Sequence, residues 1–316
     1  MVKVALAGAA GAFGRKHLDA LQQIENVDLT CLIGVAGDGT EDFARDHGVP
    51  AFENSLTDAL KRDDVEAVVL ATPTPIHAEQ TLEVLAAGKH VLCEIPMADS
   101  LADSQKVVEA HAKSGLVGMC GHVRRFNPSH QYVHNKITAG ELNIQQMDVQ
   151  TFFFRRTNMN ALGVPRSWAD NLLWHHSAHT IDLFMYQTGE PISDVVALAG
   201  PKHPELGIFM DMTIGLKTPT GKLLTLSLSF NNDGPLGTYF RYICDKGTYI
   251  ARYDDLVNGK EEPVDLSGVA VSNNGIELIN REFLSAIEEG RTPNGSFEQI
   301  LPTMEVMHKI EQQIGS

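Results

Sequence analysis

The sequence has little positive charge and no long apolar run. It contains 25 Lys and Arg against 40 Asp and Glu, which gives a net charge of -15. An acidic chain without a basic cluster does not offer the surface that nucleic-acid phosphates require, so we expect no nucleic-acid partner. No apolar run approaches the roughly 18 residues of a membrane span, and the apolar start at 2–6 is too short for a signal peptide. We therefore expect no membrane segment and a cytoplasmic location.

Cysteine is also scarce. Cys31, Cys93, Cys120 and Cys244 are widely spaced, without a C-x-x-C pair. The first three lie inside apolar runs typical of strands. The pattern favours buried, inert thiols over a disulfide, metal or redox role.

The 316 residues exceed the roughly 250 to 300 at which one hydrophobic core stops growing, so two domains are expected. Over residues 1–122, short runs that are apolar throughout alternate with amphipathic helical patterns. Strands buried on both faces and separated by helices indicate an α/β domain with a doubly wound parallel sheet, a Rossmann domain.

Residues 123–316 have a different pattern. Longer strands follow one another, joined by turn signals at 218–221 and 231–234, and helices are expected near 167–188, 275–289 and 297–314. This predicts an α+β domain for substrate binding and oligomerisation, with an open-faced, mostly antiparallel sheet; the C-terminal helix is free to pack back on the first domain. The alternation of Leu224, Leu226, Leu228 and Phe230 favours a second subunit over the open face, in a homodimer or homotetramer.

Three glycines lie at the N-terminal strand-to-helix junction. Strand 2–7 leads into Gly8-Ala-Ala-Gly11-Ala12-Phe13-Gly14 and then a helix. Glycines let the backbone turn tightly and approach a pyrophosphate, which then rests on the free N–H groups of the helix N-terminus. We interpret these residues as a dinucleotide-binding turn, with a G-x-x-G-x-x-G spacing in place of the commoner G-x-G-x-x-G.

The second strand ends at Gly34, where NAD-binding proteins usually have a carboxylate for the adenosine ribose. Without that charge a 2′-phosphate is not repelled, so NADP is favoured. NAD stays an alternative, because no Arg follows and Asp38 lies close by in sequence.

Four later blocks, at 71–77, 88–96, 121–128 and 168–182, occur in an order that resembles the glucose-fructose oxidoreductase and inositol dehydrogenase family. The resemblance spans essentially the whole chain. It implies a Rossmann domain, an open-faced substrate domain whose sheet often mediates oligomers, and hydride transfer at a carbinol carbon. It also implies that Thr72, Pro73, Thr74 and His77 line the cofactor path and that Glu94 and Pro96 flank the nicotinamide ribose.

The sequence departs from the family pattern twice. Ile95 replaces the lysine of Glu-Lys-Pro, and His175 replaces the first aspartate of Asp-x-Gly-x-His-x-x-Asp, which here ends at Asp182. Both missing groups assist proton removal in sugar-oxidising members. The combination at 153–160, 165–168 and 173–179 is similar to members that oxidise the cyclic hemiacetal of 4-carboxy-2-hydroxymuconate-6-semialdehyde to the lactone 2-pyrone-4,6-dicarboxylate in protocatechuate 4,5-cleavage, with NADP preferred.

Three histidines supply candidates for the general base. A hemiacetal hydroxyl is more acidic than a secondary alcohol, so one imidazole suffices to take its proton. His179 stands at the family's retained histidine, His175 lies one helical turn before it, and His176 faces another direction and binds substrate or fills the core. A buried polar patch is the alternative interpretation. The H-E-x-x-H glutamate is missing, so we expect no metal.

A dicarboxylate substrate requires local positive charge in this acidic chain. Arg125 and Arg166 are the first candidates for binding it, with His122, Arg124, Arg156 and Trp168 next. We expect one member of each adjacent arginine pair, 124–125 and 155–156, to form an ordinary surface ion pair, because side chains alternate along an extended segment.

Two other functions stay open. The protein could be a dehydrogenase of another polyol or sugar acid, with histidines in place of the missing groups. It could also be a non-catalytic, dinucleotide-responsive regulator, since two catalytic positions have changed.

Overall fold

A computed structural model describes residues 1–159, 163–166, 168–270 and 275–315. The chain divides into two compact units. The first comprises Met1–His122, Met159–Trp168 and Ile276–Leu301; the second comprises Val123–Asn158, Ala169–Gly275 and Pro302–Ser316. The assignment of cofactor binding to one unit and substrate binding to the other stays a prediction.

The strands, in chain order, are β1 (Val2–Ala7), β2 (Val27–Ile33), β3 (Ala51–Glu53), β4 (Ala67–Leu70), β5 (His90–Cys93), β6 (Gly118–Cys120), β7 (Ile144–Phe152), β8 (Asp194–Ala199), β9 (Asp211–Lys217), β10 (Leu223–Ser229), β11 (Gly237–Cys244), β12 (Gly247–Arg252) and β13 (Asp255–Asn258). The α-helices of the described residues are α1 (Ala12–Gln23), α2 (Thr40–Asp46), α3 (Leu56–Leu60), α4 (His77–Ala86), α5 (Leu101–Ser114), α6 (Pro128–Thr138), α7 (Ala178–Thr188), α8 (Ile276–Glu289) and α9 (Phe297–Ile314).

The first unit contains a parallel sheet with the strand order β3-β2-β1-β4-β5-β6. This order confirms the predicted Rossmann fold, in which the carboxyl ends of the strands form one ligand-binding edge. Local signals fix its helices: the side chains of Ser55 and Ser100 accept N–H bonds from Asp58 and Asp103, and Gly115, with φ of +67°, ends α5.

The second unit contains a sheet with the order β13-β12-β11-β7-β10-β9-β8, antiparallel except for the β7–β10 pair. The predicted mostly antiparallel sheet is confirmed. Helix α6 was not predicted. It begins with Pro128 at its first position, but it buries the polar residues Ser129 and His130, which leave no apolar period to detect.

One argument for a second subunit is wrong. The four apolar residues of this alternation are at most 1% exposed: Leu224, Leu226, Leu228 and Phe230. They lie on the core side of β10 and at its end, and β10 packs near Leu172–Ser177, the segment before α7 that contains His175 and His176. The other side of the sheet carries the exposed side chains of Val196 and Leu198 on β8, 65% and 72% accessible. Oligomerisation through this sheet stays a prediction that must depend on these other residues.

All four cysteines are free and buried, as predicted. Burial raises the pKa of Cys31 and of Cys244 to about 11. These two thiols are therefore protonated and unreactive near neutral pH.

Candidate active site

The glycine turn between β1 and α1 leaves no room for side chains. A Cβ on Gly8 would lie 2.4 Å from the carbonyl oxygen of Ala71, and one on Gly14 would lie 2.0 Å from that of Gly8. Gly8 also has a φ of +78°, and Gly11 is the N-cap of α1 without a side-chain hydrogen bond. Ala12 and Phe13 start the helix. This close-packed backbone, open at a helix N-terminus, fits the pyrophosphate of a dinucleotide.

The loop after β2 is packed tightly over Gly34. A Cβ there would lie 2.5 Å from Oγ1 of Thr40 and 2.7 Å from Oδ2 of Asp38. The Asp38 carboxylate accepts hydrogen bonds from the backbone N–H groups of Val35 and Thr40, at 2.9 and 2.8 Å. Partial burial opposes ionisation of this carboxyl, but these bonds hold the pKa of Asp38 below its usual value.

The segment after β4 places His77 in an unusual position. Thr74 begins a short 3₁₀ turn that leads into α4, whose first residue is His77. The His77 Nδ1 lies 2.8 Å from the carbonyl oxygen of Pro96, and its Nε2 lies 2.9 Å from that of Thr72. Both carbonyls can only accept, so the ring must donate from both nitrogens and carry a positive charge.

The pKa of His77 reflects this arrangement. Burial alone would lower it, but the neighbouring Cys93 sulfur and the two carbonyl oxygens raise the pKa of His77 to about 9. The His77 side chain thus links the segments that follow β4 and β5 by hydrogen bonds to the carbonyls of Thr72 and Pro96. Of the other residues predicted here, Thr72 donates its hydroxyl to Oε1 of Gln80 at 2.6 Å, and Pro73 precedes the 3₁₀ turn as its N-cap.

Glu94 follows β5 and is nearly buried. Its Oε1 lies 2.8 Å from Nε2 of His17 on α1, and its Oε2 accepts from the backbone N–H of Ile95 at 3.2 Å. Asn280 of α8 lies against the opposite ring nitrogen of His17, with its Nδ2 3.0 Å away. The predicted cofactor residues therefore follow strands of one parallel sheet and lie at its carboxyl edge. They are the glycine turn, Gly34, Thr72–Thr74, His77, Glu94 and Pro96.

In the second unit, the three histidines lie at an irregular helical segment. Leu172–Ser177 forms one turn of π-helix before α7, capped by Asn171, whose side chain accepts from the N–H of Trp174 at 2.7 Å. The predicted single helix from residue 167 therefore begins at Leu172 with a wider turn, and residue 167 lies outside the described residues. Such π turns are rare in proteins, and those that occur often lie at functional sites.

The ring of His175 has a defined tautomer. The backbone N–H of Asn171 donates to its Nδ1 at 3.1 Å, and the His175 residue is 9% exposed. A neutral His175 therefore carries its proton on Nε2 and is a donor at that position. His179 lies in the first turn of α7 and is half-buried.

His176 lies beside a carboxylate and aromatic rings. Its Nε2 is 3.5 Å from Oδ2 of Asp170, and its ring packs edge-on against Phe230 at 5.1 Å between centroids. Arg155 binds the same Asp170 with two guanidinium nitrogens and lies over the Phe230 ring at 4.7 Å. Asp170 thus holds an arginine and a histidine together.

The adjacent arginines 124 and 125 are both buried, at 8% and 6% exposure. The expectation that one of them forms a surface ion pair is wrong, because Val123–Arg125 is a 3₁₀ turn and not an extended segment. Arg125 donates from Nε and Nη2 to the Asp182 carboxylate at 2.8 and 2.6 Å. Arg124 lies over the rings of Phe240 and Tyr253, and burial lowers its pKa.

The remaining predicted substrate residues are spread over both units. Arg156 is exposed, lies over the Phe154 ring, and donates to the carbonyl oxygens of Arg155 and Phe230 at 2.8 and 3.2 Å. Arg166 and Trp168 belong to the first unit, where the Arg166 guanidinium lies 5.0 Å from the Trp168 ring. His122 is the buried last residue of the first segment of that unit.

Comparison with known proteins decides the family. Residues 2–122 match the family described as oxidoreductases with an NAD-binding Rossmann fold, and residues 128–270 match the bacterial oxidoreductase C-terminal family. The chain is 60% identical over 313 residues to a 4-carboxy-2-hydroxymuconate-6-semialdehyde dehydrogenase from Sphingobium sp. (strain SYK-6), covering 99% of both chains. The chain belongs to the glucose-fructose oxidoreductase and inositol dehydrogenase family.

A more distant relative and a solved structure are also similar to this chain. An inositol 2-dehydrogenase from Mycolicibacterium smegmatis is 29% identical over 261 residues, which cover 80% of this chain and 72% of the relative. The crystal structure of an oxidoreductase domain protein from Kribbella flavida has a TM-score of 0.87 at 21% identity, covering 99% of this chain and 96% of that chain. The fold is thus that of the family, and the protein is a nicotinamide-dependent dehydrogenase.

Two features are absent from the described residues. Across the described ranges, no three His, Cys, Asp or Glu side chains are grouped so that they could hold a metal ion. Within those ranges, the helices include none that is long and apolar enough to span a bilayer.

Sequence reasoning missed three residues of this site, which are His17, Asp170 and Asn171. The partners of His17 and Asp170 are side chains of other elements or segments. Asn171 had a local signal, since asparagine is a common cap before a helix.

Proposed function

We propose that this protein oxidises the cyclic hemiacetal of 4-carboxy-2-hydroxymuconate-6-semialdehyde to 2-pyrone-4,6-dicarboxylate, in protocatechuate 4,5-cleavage, with NADP as the oxidant. The observation that carries the proposal is the 60% identity to a dehydrogenase of that name over 99% of both chains. The changes at Ile95 and His175 support it, since they remove the lysine and aspartate that assist sugar oxidation in the family.

The reaction transfers a hydride and a proton to separate acceptors. The glycine turn of the first unit would hold the dinucleotide, whose oxidised nicotinamide would supply the acceptor for the hydride of the hemiacetal carbon. The hydroxyl proton of the same carbon goes to an imidazole, and the C–O single bond becomes the lactone carbonyl. Because the product is resonance-stabilised, a base with ordinary imidazole strength is sufficient.

His179 is the proposed base. The only lone pair of a neutral His175 ring accepts the Asn171 N–H, so His175 must break a backbone hydrogen bond to take a proton. Its Nε2–H is instead suited to donate to a substrate oxygen. His176, beside Asp170, is a second donor in this proposal.

Arginines bind the substrate carboxylates in this proposal. Asp182 takes two donors of Arg125, and Asp170 takes two of Arg155. Arg156, whose described contacts are with an aromatic ring and carbonyl oxygens, is therefore better suited than Arg125 to bind a carboxylate, and Arg166 stays a proposed ligand.

The preference for NADP follows from the loop after β2. This loop has glycine where an NAD enzyme has a carboxylate, and Asp38 directs both of its oxygens to the backbone. Both oxygens of Asp38 thus already accept a backbone donor, which makes this carboxylate a weaker acceptor for a ribose 2′-hydroxyl.

A homo-oligomer formed through the exposed side of the second unit's sheet is part of the proposal. Asp148 of β7 is in register with Arg241 of β11 on that side, so two copies related by a two-fold axis could pair opposite charges, with Val196 and Leu198 adding apolar area. Light scattering of wild-type protein and of Leu198→Lys checks this, and a wild-type monomer would contradict it.

The decisive experiment measures dinucleotide reduction by the purified protein with the cyclised ring-cleavage product of protocatechuate. We expect turnover with formation of the pyrone dicarboxylate and a higher kcat/KM with NADP than with NAD. Turnover of inositol or a hexose, without the hemiacetal, would support a polyol or sugar-acid dehydrogenase instead. Tight dinucleotide binding without oxidation of either class would support a regulator.

A further inference from the structure

We infer that Arg15 binds the 2′-phosphate of NADP and sets the preference for this cofactor. The inference rests on the proposed use of NADP and assigns it to one side chain. Arg15 lies in the first helical turn of α1, directly after Gly14, and is exposed. Its position therefore combines the pyrophosphate turn with an accessible positive charge.

Two contacts orient the Arg15 side chain. Its Nε donates to the carbonyl oxygen of Ala10 at 3.1 Å, and its guanidinium carbon lies 4.8 Å from the centre of the Phe43 ring on α2. The side chain thus extends from α1 to the helix that follows the β2 loop. In a Rossmann fold, this loop at the end of β2 receives the adenosine ribose and its 2′ substituent.

The carboxylate of this loop is engaged by the loop's own backbone. Position 34 has no side chain, and a Cβ there would collide with Thr40 and Asp38. The Asp38 carboxylate binds the N–H groups of Val35 and Thr40 within its own loop. Among the residues that the structure describes, no carboxylate forms a salt bridge with Arg15.

The chemistry of Arg15 suits a phosphate. Its Nε–H bonds the Ala10 carbonyl and its guanidinium lies against the Phe43 ring, which leaves the Nη N–H groups to bind phosphate oxygens. Neighbouring cations are engaged differently: Arg45 pairs with Asp42 at 2.6 Å, and Lys16 lies over the Phe13 ring at 5.0 Å. NAD presents a hydroxyl at the same position and gains much less from a positive charge.

Substitution of Arg15 tests the inference. Arg15→Ala should raise the KM for NADP by about tenfold to a hundredfold, the value of one charged hydrogen-bond pair, and leave the KM for NAD within about twofold. Arg15→Lys should retain part of the preference, and Arg15→Glu should reverse it. Arg45→Ala is the matched control, since it removes an exposed arginine of α2 that already has a carboxylate partner.

Binding of nucleotide fragments separates this inference from the proposed function. Calorimetry with adenosine 2′,5′-bisphosphate and with adenosine 5′-monophosphate requires no substrate. We expect Arg15→Ala to weaken only the bisphosphate, whether or not the hemiacetal is oxidised. An unchanged ratio of the two affinities, in a variant that still binds the monophosphate, would overturn the role of Arg15 even if the dehydrogenase activity is present.

Discussion

The Nε2 atom of His17 lies 2.8 Å from Oε1 of Glu94, and both side chains are buried in the first unit. The Asn280 amide nitrogen donates to the carbonyl oxygen of Ile276 at 2.8 Å, which fixes the amide so that this nitrogen also faces Nδ1 of His17 at 3.0 Å. His17 is then protonated on Nε2 and donates to Glu94. A helix residue behind the sheet thus orients the carboxylate that follows β5.

Replacing His17 with leucine should lower the free energy of unfolding by about 1–3 kcal/mol, since it leaves Oε1 of the buried Glu94 without the donor seen in the structure. Urea denaturation measures this. Glu298→Gln is the control. It weakens a second His–Glu bond, in which His111 Nδ1 lies 2.6 Å from the Glu298 carboxylate, and the Glu298 side chain is 41% exposed. We expect less than about 1 kcal/mol for it. Equal losses in the two variants would show that burial does not decide the value of the bond.

Patterns in the sequence predicted most of the fold. Most strands of the first unit are apolar runs, and its helices begin after serine caps or end at glycines. The three-residue β3 and the acidic β13 carried too little pattern to detect. Leu224 to Phe230 were predicted as strand, but alternation alone does not say which face of a sheet is covered. The apolar residues of β10 therefore supported a second subunit only until their contacts were known.

The site was predictable where backbone geometry dictates residue type, as at Gly8 and Gly14. It was not predictable where a side chain's partner is remote in sequence. Arg125 looked like a substrate ligand until its bond to Asp182, 57 residues away, was known. His175 stayed the second candidate for the base after His179, because α-helical spacing cannot foresee a π turn or the Asn171 N–H that occupies the His175 ring.

The charged His77 ring predicts a pH dependence of stability. The pKa of His77 is raised from 6.5 to about 9 in the folded protein, so protonation stabilises the fold. Its contribution, about 3 kcal/mol at most, is fully present below pH 6.5 and is lost as the pH rises to about 9. Unfolding free energies measured across this window should fall more steeply for wild type than for His77→Gln. Parallel curves would contradict a charged His77.

The buried ion pair of Arg125 with Asp182 predicts a large effect on stability. Both groups are at most 6% exposed, so Arg125→Gln or Asp182→Asn should lower the free energy of unfolding by about 3–5 kcal/mol, because either change leaves the other charge buried. Arg156→Gln, at an exposed arginine, should change it by less than about 0.5 kcal/mol. Thermal denaturation provides the measurement. If Arg125→Gln is as mild as Arg156→Gln, Arg125 would again be a candidate for binding the substrate, as first expected.

The geometry of the histidine segment predicts unequal effects of two substitutions. His179→Gln should lower kcat by about a hundredfold to ten-thousandfold, the range for loss of a general base, and should remove the acidic limb of the pH–rate profile. His175→Asn keeps an acceptor for the Asn171 N–H and should cost about tenfold or less, since it loses at most one hydrogen bond to substrate. Dinucleotide affinity should stay the same in both, because neither residue belongs to the first unit. A larger loss of kcat in His175→Asn, with the acidic limb removed there instead, would make His175 the base and would require its ring to release the backbone of Asn171 during turnover.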